Sequence, residues 1–144
     1  MKTESEITND LVRLIKESAL GSMIGGEVYP EGGRPRNSKA QDVTVALSEV
    51  SELYGGFMQS GVCTVNVYVA NKAATPAQTL LPDTERIAQV EGILRTWVES
   101  LKEKQGCYLI WQRDPVGHDY VTTPFPQFFA FLRLNFTLIP NSNG

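Results

Sequence analysis

Three stretches of this chain alternate apolar and polar residues with a period of two, which confines the fold to one built on a half-buried β-sheet. From Phe128 to Leu138, the residues Phe128, Ala130, Leu132, Leu134, Phe136 and Leu138 point one way. Phe129, Phe131, Arg133, Asn135 and Thr137 point the other. Val62 to Val69 sets Cys63, Val65, Val67 and Val69 on one face, and Asp42 to Leu47 does the same with Val43, Val45 and Leu47. A sheet with one apolar face must bury it under another layer.

Two helical patterns supply that layer. Thr3 and Glu6 stand in capping-box spacing ahead of Ile7, Leu11, Leu14 and Ile15, which predicts a helix over Glu4 to Leu20 ending at Gly21. Asp83 or Thr84 caps a second, in which Ile87, Val90, Leu94, Trp97, Val98 and Leu101 form one apolar stripe. Asp83 and Glu85 at its start and Lys102 and Lys104 toward its end suit the helix dipole, Glu91 and Arg95 stand at ion-pair spacing, and Gly106 ends it. Gly92 costs this helix about 1 kcal/mol relative to alanine, so a close backbone neighbour is expected there, in this chain or another.

The connections complete the order. A short strand around Glu27 to Tyr29 precedes an open loop through Lys39, punctuated by Gly32, Gly33 and Pro35. Gly55-Gly56 marks a reversal, joining the next two strands as an antiparallel hairpin. Tyr54, Phe57 and Met58 near its tip are expected to fold back onto the sheet, the alternative being presentation to another chain. Asn71 to Pro82 reads as a linker, Cys107 to Trp111 as a short strand, and Asp114 to Pro126 as a loop. At 144 residues with 42% hydrophobic and 20% charged side chains, the chain is sized and composed for one folded domain. The expectation is an α+β single domain over 1–144: a mainly antiparallel sheet of four to five strands with two helices packed on one face, in the order α-β-β-β-α-β-β.

Charge and residue supply narrow the chemistry. A formal net charge of −3 offers no overall positive field for nucleic acid or anionic lipid. One histidine and two distant cysteines cannot fill an ordinary zinc site, so neither metal nor cofactor is expected. The start of the chain is acidic where a secretory signal needs a basic region, and no stretch is apolar for long enough to span a membrane. A cytoplasmic location with reduced, core-packing Cys63 and Cys107 is therefore expected. His118 beside Asp119 in a Gly- and Pro-containing loop is the one candidate general base, and Arg34 or Arg36 a binder of anionic substrate. A surface histidine is the expected role, and no catalytic residue is assigned. Arg34 and Arg36 are expected either to contact a partner or to bridge to Asp42. Phe129 and Phe131, opposite the core face, call for a second covering layer or a subunit interface.

Gly26-x-Val28-Tyr29, Arg34-Pro35-x-Asn37-Ser38, Asp42-Val43-Thr44-Val45, Val65-Asn66-Val67-Tyr68-Val69, the long helix and Phe131-x-Arg133-Leu134-Asn135-Phe136 together resemble small prophage-encoded tail proteins. The nearest functional group is the phage tail terminator, or tail-completion, proteins. That resemblance implies a non-enzymatic subunit assembling as a ring with copies of itself, possibly a hexamer. The ring would sit on the tail tube protein, offer a face to the head-completion or connector protein, and pass DNA only as cargo, assembled in the host cytoplasm and kept in the virion tail. A different neck protein of the head-tail junction is the alternative. The residues expected at such interfaces are Arg34, Arg36, Tyr54, Phe57, Met58, Phe129 and Phe131.

Overall fold

The computed structural model describes residues 1–72, 81–102, 104–123 and 126–139. Most of the expected linker and the Pro124-Phe125 pair lie outside the described residues. Among them, three α-helices and six strands make one α+β domain.

The N-terminal helix begins as its capping box dictates: the Thr3 hydroxyl accepts the Glu6 N–H, and the Glu6 carboxylate accepts the Thr3 N–H. It does not run to Leu20. Helix α1 (Glu4–Glu17) stops at Ser18, whose extended backbone resets the chain before α2 (Ala19–Ile24). The Ser18 hydroxyl donates to the Ile15 carbonyl at 2.7 Å and accepts the Leu20 N–H at 3.2 Å, closing one helix and capping the next. Gly21 lies inside α2, where a Cβ would sit 2.5 Å from the Lys16 carbonyl oxygen. The left-handed residue that ends α2 is Gly25.

Strand β1 (Val28–Pro30) runs parallel to β2 (Val43–Leu53), so the sheet is mixed. β2 and β3 (Met58–Tyr68) form the expected antiparallel hairpin, longer than the alternation alone marks, with a bulge between Ser48 and Ser51. After α3 (Thr84–Glu99) and a 3-10 turn (Ser100–Lys102) come β4 (Tyr108–Gln112), β5 (Gly117–Val121) and β6 (Gln127–Leu138). Strand order is β1-β2-β3-β6-β4, and β5 pairs with the other half of β6. The strand count thus exceeds the expected four to five because β5 forms where a loop was expected. Its residues, Gly-His-Asp-Tyr-Val, are held by backbone pairing to β6 and carry no apolar alternation.

The register puts the three alternating strands in phase. Val45, Val65 and Leu132 lie side by side, as do Leu47, Cys63 and Leu134. This face meets Ile7, Leu11 and Ile15 of α1, Leu20 and Ile24 of α2, and Ile87, Val90, Leu94 and Trp97 of α3 in one buried cluster. Each large apolar side chain fully buried there contributes roughly 1.5–3 kcal/mol. Asp83 caps α3 by accepting the Arg86 N–H at 3.1 Å. The helix ends at Glu99, so neither Lys102 nor Lys104 falls within its last turn, and Gly106 forms a left-handed turn ahead of β4 instead. Near the start of the chain, the backbone of Lys2 exchanges two hydrogen bonds with the Gln59 side chain, and the Tyr108 hydroxyl donates to Asp10 at 2.6 Å.

Candidate functional site

The loop between β1 and β2 is anchored by a buried carboxylate. Asp42, only 3% exposed, accepts hydrogen bonds from the Ser38 hydroxyl at 2.6 Å, the Arg34 Nε at 3.1 Å and the Glu27 N–H at 3.3 Å. Burial opposes its ionisation, but the Ser38 hydrogen bond, the Glu27 N–H and the Arg34 guanidinium outweigh burial and hold the carboxyl below the ordinary carboxylate range. The same guanidinium donates to the Ala40 carbonyl and to Gln127, and lies 3.8 Å from the centre of the Tyr68 ring. Arg34 is therefore spent inside the chain as the loop-to-sheet bridge. Arg36 stays exposed.

Arg34 begins a strip across the sheet face away from the helices. Tyr68 lies 5.6 Å from Phe129, Phe129 lies 6.4 Å from Phe131, and the Arg133 guanidinium covers Phe131 at 5.2 Å. Phe129 and Phe131 are half-buried by these neighbours. They are shielded in part within one chain, so the apolar patch on this face is smaller than full exposure of both rings would leave. Farther along the same face, Arg113 pairs with Glu49 at 2.8 Å and approaches Asp114, which also pairs with Arg133. These exposed pairs are each worth about 0–1 kcal/mol.

The hairpin tip departs most from expectation. Tyr54 is 81% exposed and Phe57 62%, while Met58 is half-buried; the two rings project outward instead of folding back onto the sheet. Tyr54, Gly55 and Gly56 all take left-handed backbone, and the turn is closed by the Phe57 N–H on the Tyr54 carbonyl at 3.3 Å. Glycine adopts this conformation freely, but for a ring-bearing residue it costs roughly 1–2 kcal/mol. Leu109 and Trp111 of β4 and Tyr120 of β5 are also exposed, on the free edge of the sheet. Sequence reasoning missed these three. A run that is apolar at Leu109 and Trp111 as well as at Tyr108 and Ile110 does not declare which pair faces out.

His118 and Asp119 do not come together. Neighbours in a strand point to opposite faces: His118 Nδ1 lies 3.4 Å from the Glu91 carboxylate on α3, while Asp119 accepts the Tyr120 N–H. Glu91 thus faces His118, and no ion pair joins it to Arg95 as their spacing suggested. Cys63 is buried, and burial pushes its thiol up to about 12; Cys107 is half-buried. Among the described residues, no group of three or more His, Cys, Asp or Glu side chains is placed to hold a metal ion, and no helix is long and apolar enough to cross a membrane.

No protein-family model and no curated protein matches this chain.

Proposed function

We propose that this chain is a structural subunit of a phage or prophage tail, a terminator-like protein that assembles with its own copies as a ring, caps the tail tube and joins it to the head connector. The observation that carries the reading is the exposed aromatic turn, with the Tyr54 ring held outward on strained backbone and Phe57 exposed beside it. Apolar rings kept in water on a defined turn are the mark of a surface made for another protein. The free-edge residues Leu109 and Trp111, on the sheet face away from the helices, supply a second such surface elsewhere on the subunit. Two unlike sticky surfaces on one chain produce head-to-tail contacts, which close into rings when the rotation permits. Sequence resemblance supplies the tail context, and the α+β architecture is compatible with it.

The test is association. Light scattering and negative-stain microscopy at rising concentration are expected to show a ring, and addition of tail tube protein is expected to recruit it to tube ends. A chain that remains solitary at every concentration and ignores tube protein refutes the proposal.

A further inference from the structure

An open groove of about 610 Å³ runs along α3, between that helix and the β4–β5 connection, lined among others by Ala88, Gly92, Arg95, Gln112 and Val116. Gly92 was expected to mark a close backbone approach. A Cβ there would meet nothing within 4 Å, so no neighbour in the described chain compensates for a glycine in mid-helix.

The charges in the groove are unevenly satisfied. Glu91 faces His118, and Glu99 also has a partner of its own. Arg95 is exposed and, among the described residues, has no ion pair. The aromatic turn carries the opposite imbalance: Glu52 is exposed, without an ion pair among the described residues, and its carboxylate lies 3.8 Å from the Cβ position of Gly56.

Resting on the assembly reading above, we infer that the Tyr54–Phe57 turn of one copy seats in the α3 groove of the next copy, its rings over Gly92 and its Glu52 beside Arg95. The occupant is a second copy because knob and groove belong to the same chain and their leftover charges are opposite. The two lie on different elements, the β2–β3 tip and the outer side of α3, so the contact is head-to-tail and repeats from subunit to subunit. Gly92 leaves the helix surface flat where a ring must lie. A four-residue turn covers less than the roughly 800 Å² per partner of a standard interface, so pairs are weak and closure of the ring supplies the rest.

Sedimentation velocity on the full chain tests this, with thermal unfolding of every variant in parallel. Tyr54→Ser with Phe57→Ser, and separately Gly92→Leu, are each expected to weaken self-association by about tenfold or more. Gly92→Leu is expected to melt no lower than the wild type, because its side chain points into open space and leucine favours a helix, so its loss of assembly cannot be misfolding. Mixing the turn variant with the groove variant leaves one working contact per pair, so the mixture stops at dimers. Glu52→Arg and Arg95→Glu each weaken assembly, and the two together restore it. If the wild type associates while the turn and groove variants associate equally well, this inference is overturned and the assembly reading stands. If the wild type is solitary throughout, both are overturned.

Discussion

Replacing Asp42 by asparagine isolates the charge that holds the β1–β2 loop to the sheet. The carboxylate is 4% exposed at its side chain and Arg34 13%, so the pair is shielded from water and from salt. Asparagine keeps one acceptor oxygen but turns the other into a donor, and the three donors now satisfied by Ser38, Arg34 and Glu27 cannot all be kept. Each buried donor left unpaired costs about 1–3 kcal/mol, and breaking one side of a buried ion pair about 3–5 kcal/mol. Arg34 retains the Ala40 carbonyl, Gln127 and the Tyr68 ring, which places the expected loss at the low end, about 3 kcal/mol. For a domain of this size that lowers the melting temperature by roughly 10 °C. Urea unfolding of the wild type, Asp42→Asn, Arg34→Met and the double variant gives the coupling directly, expected at about 1.5–2 kcal/mol. The pH dependence carries a definite sign. The folded carboxyl has a depressed pKa, so its contribution is complete above the ordinary carboxylate range of about 4 and disappears as pH falls through the lower folded value. The gap between wild type and Asp42→Asn should therefore narrow on acidification below about pH 4. A loss under about 1 kcal/mol at neutral pH, or a gap that does not change with pH, refutes the anchoring role.

Three further outcomes follow from packing and burial. A Cβ on Gly61 would lie 2.8 Å from the fully buried Phe136 ring, so Gly61→Ala is expected to cost about 1–3 kcal/mol in denaturant unfolding, and no loss would show that the ring can shift freely. On Gly26 the added carbon would lie 1.7 Å from the Gln41 carbonyl oxygen, an overlap with backbone that no rotamer relieves; Gly26→Ala should be more damaging than Gly61→Ala in the same assay. Cys63, buried with its thiol pushed up to about 12, should resist a thiol reagent near pH 8 until the protein unfolds, while half-buried Cys107 reacts first; equal rates would contradict the burial.

What could be read from the chain beforehand was whatever a repeating contact writes into it. The alternation through Phe128–Leu138 placed the core face because each inward residue meets the same helices, and Thr3, Glu6 and Asp83 announced helix starts because capping is local chemistry. The bridge from Arg34 to Asp42 was one of two readings of a basic loop near an acid, and only the fold could choose it. Strand β5 was hidden because backbone pairing with β6 makes it, leaving its side chains exposed. The break at Ser18 was hidden as well, since apolar residues on both sides keep a helical rhythm. The neighbour of Glu91 lies on β5, remote in sequence, where helical spacing to Arg95 carries no sign of it. The outward rings of Tyr54 and Phe57 had no sequence signal to separate them from a tip folded inward.

Strand β6 pairs with β3 along one side and with both β4 and β5 along the other, so half the sheet has no partner until it arrives. During synthesis the β2–β3 hairpin therefore waits, with one edge open, while the ribosome completes the long helix and everything through Leu138. Such distant pairing slows folding and prolongs the interval in which the open edge can capture a neighbouring nascent chain. Overproduction is accordingly predicted to be limited by aggregation at this step, and lowering the rate of synthesis should raise the soluble yield more than stabilising the finished domain does.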